Sequence, residues 1–201
     1  MVNRRNLRFD KRIVIGPDWD FFTRLAESCN FGYLDQATCK YRLHDTNITL
    51  SARKQVRIDS LVLCRQKAIQ SPRFGECSAT TQAYVFYDLL INLLFDKPQM
   101  LNAHLHWPQF MSLPKAERAK LLRLAAGNLV AVPSQVDGDG GVYVRSWLAL
   151  AQRLQPFNYK THLLVILLAI HPGLAARIIA RRYKEQYEKA NRSPFEGINS
   201  T

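Results

Sequence analysis

Acidic residues are scarce in this chain. Against 28 Lys and Arg stand only 16 Asp and Glu, so the net charge is +12 and the pI near 9.8. Such an imbalance fits an acidic partner (nucleic acid, anionic lipid or a phosphate-rich substrate) or simply a solvated basic surface. No RNP-like aromatic motif, zinc-finger spacing or recognition helix is present, which ranks nucleic acid below a membrane surface or a nucleotide diphosphate. The four cysteines, Cys29, Cys39, Cys64 and Cys77, show no C-x-x-C spacing and sit among apolar neighbours. They read as buried thiols of a reducing compartment, not as disulfides or a zinc site. No apolar segment follows Arg4, Arg5 and Arg8, so no signal peptide is recognised, and the sequons at Asn47, Asn191 and Asn199 carry little weight. The apolar run 163–170 is eight residues long, and a bilayer span needs about 20.

What the chain does contain is enough apolar matter for a core. Hydrophobic residues make up 47% and charged residues 22% of its 201 positions, a globular balance that accommodates one or two domains. The densest chemistry lies in 8–47. Gly16 and Pro17 mark a helix start, with proline at a position where its missing N–H is no loss. Asp18 and Asp20 fall in the first turn, where the macrodipole favours negative charge. Phe22, Leu25, Ala26 and Cys29 recur at helical spacing, and Gly32 is the expected terminator. Tyr33 and Leu34 then read as a short strand. A second strand is expected over 37–43, with Cys39, Tyr41 and Leu43 on one side and Thr38, Lys40 and Arg42 on the other. The same parity places His44 with Arg42. A carboxylate at a helix N-terminus beside a cationic rim suits proton abstraction next to a phosphate-bearing substrate.

These residues resemble a known pattern. Phe9, Asp10, Asp18, Trp19, Asp20, Phe21, Arg24 and Leu25, followed by Gly32, Tyr33, Tyr41, Arg42, His44, Asn47 and Thr49, are similar in order and spacing to the C-terminal part of the catalytic domain of family 2 glycosyltransferases. Those are inverting enzymes with a GT-A fold, and the resemblance covers about the first quarter of the chain. One departure stands out: Pro17 occupies the place of the family's glutamate in its Glu-Asp pair. The resemblance implies that Asp18 is the general base, taking the proton of an acceptor hydroxyl as that oxygen attacks a nucleotide sugar. It implies a donor-diphosphate or metal vicinity for Arg42 and His44, with His44 as the metal candidate, and supporting roles for Trp19, Asp20, Arg24 and Tyr41. A divalent cation, Mg²⁺ or Mn²⁺, is the implied cofactor, and a glycan or lipid-linked acceptor the implied partner. Each supporting residue also has a plain structural reading: Asp20 as a helix cap, Trp19 as core, and Arg24 as a surface partner of Asp20 at i, i+4.

In the family an αβ half with an Asp-x-Asp motif precedes the base helix, and only seven residues precede Arg8 here. Asp137-Gly138-Asp139 spells the motif but lies among glycines and reads as a loop. The expectation is a partial chain whose activity depends on an upstream half.

Beyond a linker at 50–53 the chain reads as helices. Ile58, Leu61, Val62, Ala68 and Ile69 stripe a surface helix that ends near Ser71 and carries Arg53, Lys54, Arg57, Arg65 and Lys67 on its remaining surface. Residues 80–95 form a central helix with little polar face. A further helix begins at Pro98; its His104 and His106, two apart, point away from each other and make a poor metal pair. Ser112 and Pro114 open a helix with Leu121, Leu122, Leu124 and Ala125 on its apolar face. A Gly-rich loop to Gly141 precedes a helix over 142–154. In 161–184, His171-Pro172-Gly173 breaks the apolar run. Two readings stand: a helix pair packed in a bundle, or a pair lying in a membrane interface with its basic residues on headgroups.

The expected fold is mainly α: a GT-A α/β remnant over 1–50 with one helix and short strands, an α-helical bundle over 51–190, and a disordered tail over 191–201. The expected function is that of a family 2 glycosyltransferase of the hexosyltransferase type, related to sugar transfer in glycan or cell-envelope polysaccharide synthesis. It would be cytoplasmic, at the inner face of the cytoplasmic membrane. The alternative is a non-catalytic helical module that binds a partner protein or a membrane surface.

Overall fold

The computed structural model describes residues 7–32, 34–36, 38, 52–94, 97–131 and 140–191. Among them the chain forms nine α-helices and no strand. These are α1 (Pro17–Ala26), α2 (Lys54–Gln70), α3 (Ala79–Leu94), α4 (Leu101–Leu105), α5 (Pro108–Met111), α6 (Lys115–Ala131), α7 (Gly140–Leu154), α8 (Tyr159–Ile170) and α9 (Pro172–Asn191). Short 3-10 turns cover Phe74–Glu76 and Pro98–Met100. The mainly helical expectation holds. Of the expected strands, Leu34 lies in irregular chain, whereas Tyr33 and nearly all of 37–43, including Tyr41 and Arg42, are outside the described residues, as are His44, the 132–139 loop and the tail from 192.

Two compact units divide the chain, Met1–Glu117 and Arg118–Thr201. The composition shift near residue 50 is not that division, because α1 packs on α2 inside the first unit.

In the first unit, α3 is the central helix. Phe86, Leu89, Leu90 and Leu93 are fully buried, and Phe86 stacks edge-on against Phe74 (6.0 Å) and Phe110 (5.4 Å). Truncating an aromatic side chain in such a setting costs about 3–5 kcal/mol. Tyr84 breaks the pattern at 64% exposed, so α3 keeps one wet edge. α2 packs against both α1 and α3. Its Ile58, Val62, Cys64, Ala68 and Ile69 are buried, and so is Ser60, whose hydroxyl accepts from the Val14 amide at 3.1 Å. The expectation of a surface helix is corrected here: Arg65 and Lys67 turn inward to carboxylates of neighbouring segments. His104 is buried between the Met100 carbonyl (2.7 Å) and Gln66 (3.1 Å), a satisfied core histidine.

Ser112 does not open α6; its hydroxyl donates to the Gln109 carbonyl at 2.9 Å and closes α5.

In the second unit, Asn158 caps α8 by accepting from the Thr161 amide (3.3 Å). Arg123 of α6 donates to Asn158 (3.3 Å) and to the Thr161 hydroxyl (3.4 Å). Burial lowers the Arg123 pKa from its ordinary value. α8 packs on α7 and on α9, and α6 approaches α9 closely at Gly127, where a Cβ would lie 3.8 Å from Ile179. His171 joins α8 to α9: its amide donates back to Leu167 (2.9 Å), and its Nδ1 accepts from the Leu174 amide (3.1 Å), capping α9. In α8 only Thr161 is fully buried. No helix among the described residues is long and apolar enough to cross a membrane.

Candidate functional site

The start of α1 is built on Gly16, in the left-handed region at φ 75°. That conformation turns the chain so that the Gly16 carbonyl accepts from the Trp19 amide (3.1 Å) and the Asp20 amide (3.3 Å). Pro17 occupies the first helical position, and Asp18 and Asp20 fall in the first turn, as expected. Neither caps the helix with its side chain.

The two aspartates part company at once. Asp18 is exposed, with no hydrogen bond or ion pair to any described residue. Asp20 is 2% exposed and ion-paired twice. Arg24 reaches its Oδ2 through Nη2 (2.7 Å) and Nε (3.0 Å), and Lys67 of α2 reaches its Oδ1 at 2.6 Å. Lys67 also bridges to Asp10 (3.0 Å), which is held in turn by Arg12 at 2.7 Å. Arg24 adds a bond to the Arg8 carbonyl at 2.7 Å. Asp20 is thus neither a cap nor half of an exposed pair; it is the buried centre of a network that ties 8–12, α1 and α2 together. A buried carboxylate with several charge-assisted partners is costly to disturb, because removing one partner leaves the others uncompensated.

The stripe expected on α1 is corrected by the same network. Phe22 is 52% exposed, while Asp20 takes the inward position. An aromatic row runs outside instead, Phe9–Phe21 (4.9 Å), Phe21–Phe22 (5.8 Å) and Phe22–Phe31 (6.1 Å). α1 also stops at Ala26, well before Gly32. Side chains take its last carbonyls: Ser28 and Cys29 donate to the Leu25 carbonyl (2.9 and 3.3 Å), and Arg73 donates to the Ala26 carbonyl (2.7 Å).

Trp19 is not core. It is 45% exposed, and the Arg65 guanidinium lies 3.7 Å over its ring while also pairing with Asp88. Its other surroundings open into a cleft of about 650 Å³ between the C-terminal half of α1, the end of α2 and the start of α3. Trp19, Phe31, Ala68, Phe74 and Val85 give this cleft apolar walls. Its polar lining includes Glu27, which accepts from Ser71 (2.7 Å), and Arg73, which pairs with Glu76 (2.8 Å). That volume and mixed lining suit a small ligand.

Cys64, under the start of α1, donates to the Gly16 carbonyl at 3.7 Å. Burial, reinforced by the charge of Asp20, pushes its thiol up to about 11, so it is protonated and unreactive near neutral pH.

Arg42, His44 and Tyr41 lie outside the described residues. The described residues bring together no group of three His, Cys, Asp or Glu side chains able to hold a metal ion. The metal candidate of the resemblance, His44, is not among those residues. Sequence reasoning missed Lys67, Asp10 and Arg65 as members of the site region. Asp10 carried a signal in the motif itself. Lys67 and Arg65 carried none, since their partners are far away in the chain. Comparison with known protein families, with characterised proteins and with solved structures finds no match for this chain.

Proposed function

We propose that the chain is the base-bearing part of a family 2 glycosyltransferase, acting together with a donor-binding half at the inner face of the cytoplasmic membrane. One observation carries this reading: α1 presents two carboxylates in one turn, Asp20 sequestered by Arg24 and Lys67, Asp18 exposed and unengaged among the described residues. Such a division leaves one carboxylate for chemistry and uses the other to hold it in place.

In the proposed step an acceptor hydroxyl attacks the anomeric carbon of a nucleotide sugar with inversion. Its proton passes to the Asp18 carboxylate as the new C–O bond forms, and the bond to the nucleoside diphosphate breaks with the electron pair leaving on the diphosphate oxygen. We assign the acceptor to the cleft that begins at Trp19, the next residue in the chain; Asp18 itself is outside that lining, whose apolar walls and polar groups suit a glycan or lipid-linked sugar. The GT-A nature of 1–50 and the diphosphate role of Arg42 and His44 belong to the same proposal.

The pair of aspartates supplies the test. Asp18→Asn in the intact enzyme is expected to abolish transfer with little loss of donor binding, and to move urea stability by no more than about 1 kcal/mol. Asp20→Asn is expected to cost about 3 kcal/mol of stability, because Lys67 and Arg24 lose their shared carboxylate. Unchanged turnover in Asp18→Asn overturns the base assignment. Calorimetric titration with UDP and other nucleoside diphosphates in the presence of Mn²⁺ addresses the rest: metal-dependent binding lost in His44→Ala supports the diphosphate site.

The second reading, a helical module that binds a partner or a membrane surface, is favoured by one separate observation: the apolar exposure on α8 and α9.

A further inference from the structure

The most apolar run of the chain is not where a core would put it. On α8, Tyr159 (71% exposed), Leu163 (61%), Ile166 (54%) and Ile170 (76%) all face outward. Their spacing of four, three and four residues places them in one straight stripe along the helix. Phe157, in the turn before α8, is 99% exposed. Beyond His171, Leu174 and Ile178 of α9, one turn apart, are 43% and 38% exposed.

Cations outnumber carboxylates around this face, with Glu185 on the line of Leu174 and Ile178. By helical position, Arg177 and Arg181 lie on one side of Leu174 and Ile178, and Arg182 lies on the other. Lys160 flanks the α8 stripe, its ammonium 5.8 Å from the Tyr159 ring. Between Asp139 and Glu185 the chain contains no acidic residue. Arg181 is the one of these cations paired with Glu185, at 2.9 Å.

We propose that the exposed face of α8 and α9 docks on an anionic lipid surface, with its aliphatic and aromatic side chains in the headgroup–acyl boundary and its arginines and lysine on lipid phosphates. The argument is charge complementarity joined to shape. A second copy of the same surface would meet it with like charge, whereas an anionic bilayer supplies both the apolar medium and the counter-charge. Long cationic side chains beside an apolar stripe can lay their stems on it while their heads stay at the phosphates, and exposed Phe and Tyr are typical of the interface. Neither α8 nor α9 is long and apolar enough to span, so the pair lies on the membrane and does not cross it. This deepens the membrane location proposed above and stands independently of Asp18 as a base.

The test uses the full 201-residue chain and co-sedimentation with vesicles of phosphatidylglycerol or of phosphatidylcholine alone. Expected is binding to the anionic vesicles that weakens at high salt, with little binding to the neutral ones. The Ile166→Glu/Ile170→Glu variant replaces exposed residues, and its fold is checked by circular dichroism. It is expected to lower the partition coefficient at least about tenfold, since two side chains no longer enter the apolar layer. Arg177→Gln/Arg182→Gln is expected to weaken binding to anionic vesicles while leaving the small neutral binding unchanged. Wild-type protein that stays in the supernatant with anionic vesicles overturns the proposal. So does a folded double-glutamate variant that binds as well as wild type. A wild-type dimer that dissociates in that variant, without vesicle binding, assigns the face to a second copy and overturns it too. Altered vesicle binding in a chain carrying only Asp18→Asn would show that the two proposals are not separable; unaltered binding is expected.

Discussion

At the scale of single residues, Asp10 and Asp20 show what a motif can conceal. Both belong to the pattern that resembles a transferase, yet Asp20 fastens α1 to α2 and Asp10 fastens the segment before α1 to α2. Asp10 is held well below the ordinary carboxylate value by hydrogen bonds from Arg12, then from Lys67. Its folded form therefore releases its proton more readily than the unfolded chain does. The stability gained this way is fully present above the ordinary value of 3.8 and is lost as pH falls below it toward the lower folded value. Asp59, lowered chiefly by its hydrogen bond from Lys97, acts in the same direction. Urea titrations at descending pH are expected to show stability falling below about pH 4, where ordinary carboxylates take up protons. Asp10→Asn is expected to flatten that fall; an unchanged slope would place the acid sensitivity elsewhere. The Asp20–Arg24 pair was legible as an i, i+4 spacing; the tie to α2 was not, because Lys67, which joins the two carboxylates, approaches from another helix.

At the scale of elements, starts were more legible than ends and faces. The Gly-Pro-Asp opening of α1 was readable because each residue acts within its own turn. Gly16 is needed there for backbone reasons. A Cβ at Gly16 would meet nothing nearer than Trp19 at 3.8 Å, so the obstacle to a side chain is the positive φ, not a clash. Gly16→Ala is expected to cost about 1 kcal/mol by urea denaturation while leaving helix content unchanged. A loss of several kcal/mol would point to steric crowding instead. The end of α1 escaped sequence reasoning because Arg73, which takes the Ala26 carbonyl, is supplied from beyond α2. α2 was placed correctly from its stripe and its Ser71-Pro72 stop. Its surface character was misjudged, because a Lys or Arg is read as exposed until a buried carboxylate is found opposite it.

At the scale of the whole molecule, charge is the dominant fact. A net charge of +12 repels itself in the compact state. Raising ionic strength from about 0.01 M to 0.15 M shortens the screening length from about 30 Å to 8 Å. The thermal midpoint is expected to rise over that range by about 2–4 °C, the shift that roughly 1 kcal/mol produces at this size. A falling midpoint would mean that the Asp10–Lys67–Asp20–Arg24 network outweighs the general repulsion. The two compact units differ in what they carry. The first holds the aspartate turn and the cleft, and the second holds the exposed apolar residues of α8 and α9 with arginines beside them.

The amino-acid sequence by itself determined the helical character beyond residue 53, the central place of α3, the opening of α1 and the basic charge. All of these follow from local periodicity, turn chemistry or composition. Only the tertiary structure decided which aspartate is buried and which is exposed, that Trp19 borders a cleft, and that Leu163, Ile166 and Ile170 face water. Those outcomes depend on what stands opposite each side chain. A run of Leu and Ile reads as core whether or not a neighbour covers it, and a carboxylate reads as surface until a lysine and an arginine close over it.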